Sequence, residues 1–300
     1  MMKKIWRDKK ARVGVIILGV FAFLALLGPW LVVDPSDMVA TPLQPPHVAH
    51  LFGTTGQGQD VFAQTVVGTR TTLVVGFLVG IVVTGFGALV GAAAGYFGGW
   101  IDELLSLLIT VFLVIPGLPL AVVIAAYLPA GPTTIALVLI FTGWAWNARV
   151  LRAQTLALRQ KDFVLAAIIS GERHITIICR EILPNMSSLI VSCFIGATVY
   201  AIGAQVGLEF LGLGDVSAVT WGTNLYWSSN DAALLTGSWW TFVPTGFCVA
   251  MVGFALVMIN NAIDEISNPR LQSERTWATV LGRAGLHFDR SATAVMRKHG

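Results

Sequence analysis

The sequence predicts an all-α integral membrane protein with six transmembrane helices. Three observations predict it: 55% of the 300 residues are hydrophobic while 12% are charged, the mean hydropathy is +0.76, and six runs near 20 residues long carry few or no charges. At about 1.5 Å per residue such a run crosses roughly 30 Å of hydrocarbon as a helix, which satisfies its own backbone hydrogen bonds.

The first run, 13–33, follows a basic start, as the core of a secretory signal would. It is about 21 residues long and ends in Gly28-Pro29-Trp30-Leu31 without a small-x-small cleavage site, so an uncleaved anchor is expected. The second, 73–97, holds Gly76, Gly80, Gly85, Gly87, Gly91 and Gly95, a density that suits close packing between membrane helices. The third, 101–128, is expected to kink at Pro116 and Pro119. The fourth, 134–148, follows the turn residues Pro129, Gly131 and Pro132. The fifth covers 187–206 and the sixth 239–263, with some thirty polar and aromatic residues between them. Three units follow: 1–70 with tail, first helix and outward linker; a membrane domain over 71–270 containing a loop at 149–186; and a tail over 271–300.

Basic residues set the orientation, because positive charge beside a span stays on the cytoplasmic side. Of 19 Lys and Arg, six precede the first span (Lys3, Lys4, Arg7, Lys9, Lys10, Arg12), six lie from Arg149 to Arg180 and six from Arg270 onward. Arg70 alone falls elsewhere. Both termini and the 149–186 loop are therefore expected in the cytoplasm, with 34–71 and 207–238 facing outward. The net charge of +3 is a topology signal, and no soluble basic face suggests nucleic acid as a partner.

Several chemistries are missing. A phosphate-binding loop needs Gly-Lys-Ser/Thr, yet none of the six lysines follows a glycine. His47, His50, His174, His287 and His299 lack metal-ligand spacing, and His47/His50 beside Pro45 and Pro46 read as loop filler. Cys179, Cys193 and Cys248 read as small buried hydrophobes. The span interiors hold no carboxylate or histidine to carry a coupled ion; Asp102, Glu103, Asp264 and Glu265 mark inner span boundaries. A multi-span protein with no energy source of its own must borrow one. An ion-coupled carrier or channel is the competing class, and a membrane enzyme using Asp102 lacks a nucleophile, base and orienting group at useful spacing.

The loop is structured rather than linker-like. Val164, Leu165, Ile168 and Ile169 form an apolar stripe on a helix expected to end at Gly171, and Ile175, Ile178 and Ile182 form a second stripe stopped by Leu183-Pro184-Asn185. Such a helix can lie on lipid, pack on its own bundle or enter a groove on a partner.

Ala166-Ala167, then Gly171, then Ile182-Leu183-Pro184-Asn185 resembles the EAA signature of ABC-importer permeases, with Leu165 where the signature has Glu. His50, Gly53-Thr54, Asp60-Val61 and Gly68-x-Arg70 resemble the HPLGTDxxGRDVLSRxxxGxR segment of the dipeptide and oligopeptide permease subfamily's C-type subunit. Glu209-Phe210-Leu211-Gly212-Leu213-Gly214, Trp221-Gly222, Trp239-Trp240 and Pro244 resemble its SFLGLG…WG…WW…P region, over about residues 50–270 in all. Thr55, Gln59 and Gln64 replace an Asp and two Arg of the outer motif, and 261–270 follows the usual ending loosely. Trp239 and Trp240 read equally well as an interfacial aromatic belt.

The resemblance implies a type I ABC importer transmembrane domain in a bacterial or archaeal inner membrane. It pairs with a second homologous permease and two cytoplasmic ATPase subunits, and receives cargo from an extracytoplasmic solute-binding protein. It implies no cofactor in this chain, ATP and Mg²⁺ belonging to the partner subunits. Leu165, Ala166, Ala167, Ile168, Gly171, Leu183 and Pro184 become the expected ATPase-coupling residues. Asp215, Trp221, Tyr226, Trp227 and Asp231 become the expected outward cap that meets the binding protein, although aromatics there also serve packing. The expected cargo is peptides, with oligosaccharides the alternative.

Overall fold

A computed structural model of the chain describes residues 8–267; the tail 271–300 and the basic residues Lys3, Lys4 and Arg7 lie outside the described residues. Helix α1 is Lys9–Leu31, capped by Asp8, whose carboxylate accepts from the Lys10 and Ala11 amides. Helix α2 is Val61–Phe97, α3 Gly99–Val114, α4 Gly117–Tyr127 and α5 Pro132–Arg159. The loop follows as α6, Asp162–Ile169, and α7, His174–Ile177, the latter continuing through a π turn, Ile178–Ile182, into Leu183–Asn185. Then come α8, Ser187–Phe210; α9, Trp221–Asn230; α10, Ala233–Thr236; and α11, Val243–Ser267. No strand occurs among the described residues.

Five helices are long and apolar enough to cross a membrane, or six when α3 and α4 count as one span. The bend between that pair is 82°, sharper than the kink expected from Pro116 and Pro119. The prolines explain it. Pro116 and Pro119 lack the amides that would bond the Phe112 and Ile115 carbonyls four residues earlier, so two rungs within one turn are deleted and the helix restarts at Gly117.

Three further boundaries differ from the expected ones. Helix α2 begins at Val61, twelve residues ahead of 73, because Thr65 and Thr69 return their hydroxyls to the carbonyls four residues back and hide their polarity. Helix α5 runs past 148 to Arg159, its basic end projecting beyond the apolar stretch. Helix α8 runs past 206 to Phe210 and so includes Glu209, which is 2% exposed. The expectation of no carboxylate within a span is corrected here: Glu209 occupies the last turn of the fifth.

Helix α2 is the axis of the bundle, packing along α5 on one side and α8 on the other. Of its seven glycines, five abut a neighbour so closely that an added Cβ would come within 3 Å of it: Gly76 and Gly80 against Ile202 and Thr198 of α8, and Gly87, Gly91 and Gly95 against α5, while Gly68 lies against Thr220 and Trp221. Gly85 faces open space. Around this seam Val75, Val79, Val83, Ile135, Leu139 and Ala201 form one core, and Phe21, Ile202, Trp221, Val252 and Leu256 another. Asn147 of α5 donates to Thr84 of α2 at 2.9 Å, satisfying a buried polar pair.

Toward the loop-side end of α5, Arg152 clasps Asp102 through two hydrogen bonds, 2.5 and 2.7 Å, tying α3 to α5. Asp102 is therefore an ion-pair partner, and Ser106 adds a third bond at 3.0 Å. Cys179 is exposed, contrary to expectation, because it faces away from the bundle on the π turn, while Cys193 and Cys248 are part-buried.

Candidate coupling loop and outward cap

Helix α6 ends as its sequence suggests. Gly171 has φ +77°, and the Glu172 amide bonds the Ala167 carbonyl at 3.2 Å while the Gly171 amide bonds Ile168 at 3.0 Å, the paired bonds of a Schellman terminus. Nothing lies within 4 Å of where a Gly171 Cβ would stand. The residue is needed for its backbone alone. Gly171→Val is expected to cost the loop about 1–3 kcal/mol by strain, read as faster hydrogen exchange over 165–178, with Gly171→Asn recovering much of the loss. Equal exchange in all three proteins would mean that the turn is not held in this conformation.

The expected apolar stripe divides into two faces. Val164, fully buried, joins Ile177, Ile182, Met186 and Leu151 in a cluster that seats the loop on the ends of α2 and α5. Leu165 and Ile168 are 45% and 41% exposed, Ile169 87% and Ile175 73%, leaving an uncovered apolar face. Of the expected coupling residues, Leu165, Ala166, Ile168, Gly171 and Pro184 are exposed, whereas Ala167 and Leu183 turn toward the bundle and are part-buried. One anchor escaped the sequence reading. His174 Nδ1 meets the Tyr96 hydroxyl at 2.9 Å, and its ring stands edge-on to Tyr96 and Phe97 at the end of α2.

On the other side, the cap joins two segments far apart in sequence. Asp60 caps α2 by accepting from the Ala63 amide with one oxygen, and its other oxygen meets His50 Nδ1 at 2.6 Å. His50 is therefore an anchor rather than loop filler. Trp240 donates to the Thr54 carbonyl at 3.3 Å and closes over Gly53, while the Gly56 amide donates to Asp231 at 3.2 Å. Burial pushes the Asp231 carboxyl above its ordinary range, and the Gly56 amide draws it back.

Helix α9 opens with a capping box between Thr220 and Thr223. Trp221, fully buried, donates its indole N–H to the Thr65 carbonyl at 3.0 Å and lies edge-on to Phe21. Trp221 is thereby removed from the expected docking surface: its ring is core. Tyr226 lies against Gly212, and Trp227 donates to the Val216 carbonyl at 3.0 Å, so both are largely occupied in packing. Asp215 accepts from the Ser217 amide in a local turn. Beneath them Glu209 accepts from Gln205 at 3.0 Å and Thr220 at 2.5 Å, and Gly222 stands so close that any Cβ would strike the Glu209 side chain.

What the cap does present is Leu234, 81% exposed, and Leu235, 90% exposed, on α10 between left-handed Ala232 and Gly237. These two were missed; their signal was an adjacent leucine pair in a polar segment. No group of three or more His, Cys, Asp and Glu that could hold a metal occurs among the described residues.

Comparison with known proteins adds a family and relatives. Residues 87–273 match the family described as binding-protein-dependent transport system inner membrane component. The chain is 30% identical over 277 residues to the dipeptide transport system permease protein DppC of Bacillus subtilis, covering 90% of this chain and 85% of that one. It is 32% identical over 282 residues to the protein of the same description from Alkalihalophilus pseudofirmus, covering 90% and 89%. To the oligopeptide transport system permease protein OppC of Bacillus subtilis it is 30% identical over 283 residues, covering 89% and 90%.

Proposed function

The chain belongs to the family of binding-protein-dependent transport system inner membrane components, and on that premise we propose that it is one permease subunit of an ATP-driven importer of dipeptides or oligopeptides. The names of its relatives support the cargo class. One observation carries the mechanism. The 149–186 loop is seated on its own bundle by Val164, Ile177 and Ile182, yet leaves Leu165, Ile168, Ile169 and Ile175 uncovered. A folded apolar face beside a membrane domain, in a chain without a phosphate-binding loop, suits a groove on an ATPase that supplies the energy.

In this reading Leu165, Ala166 and Ile168 enter the ATPase groove, Gly171 sets the turn behind them, and Leu183 packs the end of the loop against the bundle while Pro184, exposed beside it, stops the helix. The distribution of basic residues supports a cytoplasmic location for both termini and the loop, in the inner membrane of a bacterial or archaeal cell. A second homologous permease completes the cargo path, two ATPase subunits hold ATP and Mg²⁺, and an extracytoplasmic binding protein delivers cargo to the cap. The purified chain alone is expected to show no ATP hydrolysis above background. Robust turnover by it would end this reading.

The cap's part in the reading is docking. Asp215→Cys and Leu235→Cys are expected to crosslink to the binding protein in the assembled transporter, since Asp215 is partly exposed and Leu235 almost wholly so. Crosslinks confined to the permease subunits would remove that role.

A further inference from the structure

The break between α3 and α4 opens onto a cavity of about 580 Å³, bounded by Phe112, Ile115, Asn147, Ser192, Gly196 and Tyr200. A second cavity, about 360 Å³, continues from Tyr200 past Leu118, Gly203 and Gly207 to Leu211. From Ser192 to Leu211 the trough follows α8 for about 28 Å, nearly the thickness of the hydrocarbon layer. Neither cavity is bordered by a charged side chain. The break itself is polar. Carbonyls of Phe112, Leu113, Val114 and Ile115, and amides of Gly117 and Leu118, have no hydrogen-bond partner among the described residues. Lipid cannot satisfy such groups, so irregular backbone at membrane depth must lie within protein or against water.

We propose that this trough is a wet cargo-contact site that holds an extended, uncharged peptide segment through its main chain. The open amides and carbonyls at residues 112–118 complement the unpaired amides and carbonyls of an extended peptide. Apolar walls without charge accept neutral side chains of varied shape. Tyr200, common to both cavities and close to Gly117, sets the width between them. The inference rests on the reading of the chain as a peptide-importer permease.

The test uses the assembled transporter with its binding protein in proteoliposomes, in a background of Cys179→Ser, Cys193→Ser and Cys248→Ser. Gly196→Cys reports on the trough and Gly19→Cys on the outside of α1; both glycines are exposed, with open space at Cβ. A charged, membrane-impermeant methanethiosulfonate is expected to label Gly196→Cys at least about tenfold faster than Gly19→Cys, because a charged reagent reaches thiols through water. Trialanine with ATP should slow that labelling. Equally slow labelling of both positions overturns the wet trough, and fast labelling that trialanine leaves unchanged, in a complex that imports trialanine, overturns the cargo contact. Tyr200→Ala should raise uptake of tryptophan-containing peptides relative to trialanine several-fold, with Tyr200→Phe near the parent; an unchanged ratio in Tyr200→Ala overturns its part. Absence of peptide uptake by the parent complex overturns the functional reading itself, independently of the label.

Discussion

Leu165→Asp combined with Ile168→Asp is expected to leave the permease folded and at normal abundance in the membrane, while ATPase co-purification and ATP-driven uptake fall more than a hundredfold. Both side chains are half-exposed on α6 and contribute little to the cluster that seats the loop. Burying each in an ATPase groove would contribute about 1.5–3 kcal/mol, so losing both removes roughly 3–6 kcal/mol before the cost of desolvating two carboxylates. At about 1.4 kcal/mol per tenfold, the loss exceeds a hundredfold. Val164→Asp is the contrasting variant, since Val164 is fully buried in the permease's own core and its loss should lower permease abundance instead. Normal assembly and transport by the double variant would mean that the face lies idle on lipid.

Gly91→Leu is expected to prevent accumulation of a stable permease altogether. A Cβ at Gly91 would stand 2.5 Å from the Ala148 carbonyl oxygen and 2.9 Å from the Arg152 amide. Both obstacles are backbone, so α2 and α5 must separate, and the contacts at Gly87 and Gly95 loosen with them. Even Gly91→Ala should cost about 2–3 kcal/mol, visible as a lower melting temperature in detergent. Gly85→Leu on the same helix meets open space and should melt like the parent. Similar melting of the Gly85 and Gly91 variants would show that the close seam is not what holds these helices.

The number of spans and most of their ends were legible because hydrocarbon imposes a minimum length on an apolar run, and a linear sequence displays length directly. The stop at Gly171 was equally plain, a glycine following an apolar periodic stretch. What stayed hidden depends on partners distant in sequence. Nothing near Glu209 says that Thr220 and Gly222 will close over it, so it read as part of a loop motif. The stripe 164, 165, 168, 169 looked like one face because periodicity records which residues are apolar, and it cannot say that Val164 turns toward Ile177 while Leu165 does not. His174 was visible as a polar residue in a loop, but its partner Tyr96 lies 78 positions away. The cap residues were legible as a group and wrong in emphasis: the aromatic ones pack inward, and an unremarked leucine pair stands outside.

Helix α2 is unbroken over 37 residues, a beam roughly 55 Å long. Its loop-side end is fastened to His174 through Tyr96, its cap-side end to Trp221 through Thr65 and Thr72, and the glycine seam from Gly76 to Gly95 grips the half nearer the loop. A beam clamped over one half behaves as a lever. A tilt of about 5° of the clamped half would carry the cap-side end, about 22 Å beyond Gly76, some 2 Å sideways, because a continuous helix hardly shortens or twists under such a load. The cap and the loop are thus mechanically joined through one rod, and a displacement of the clamped half is delivered to the cap.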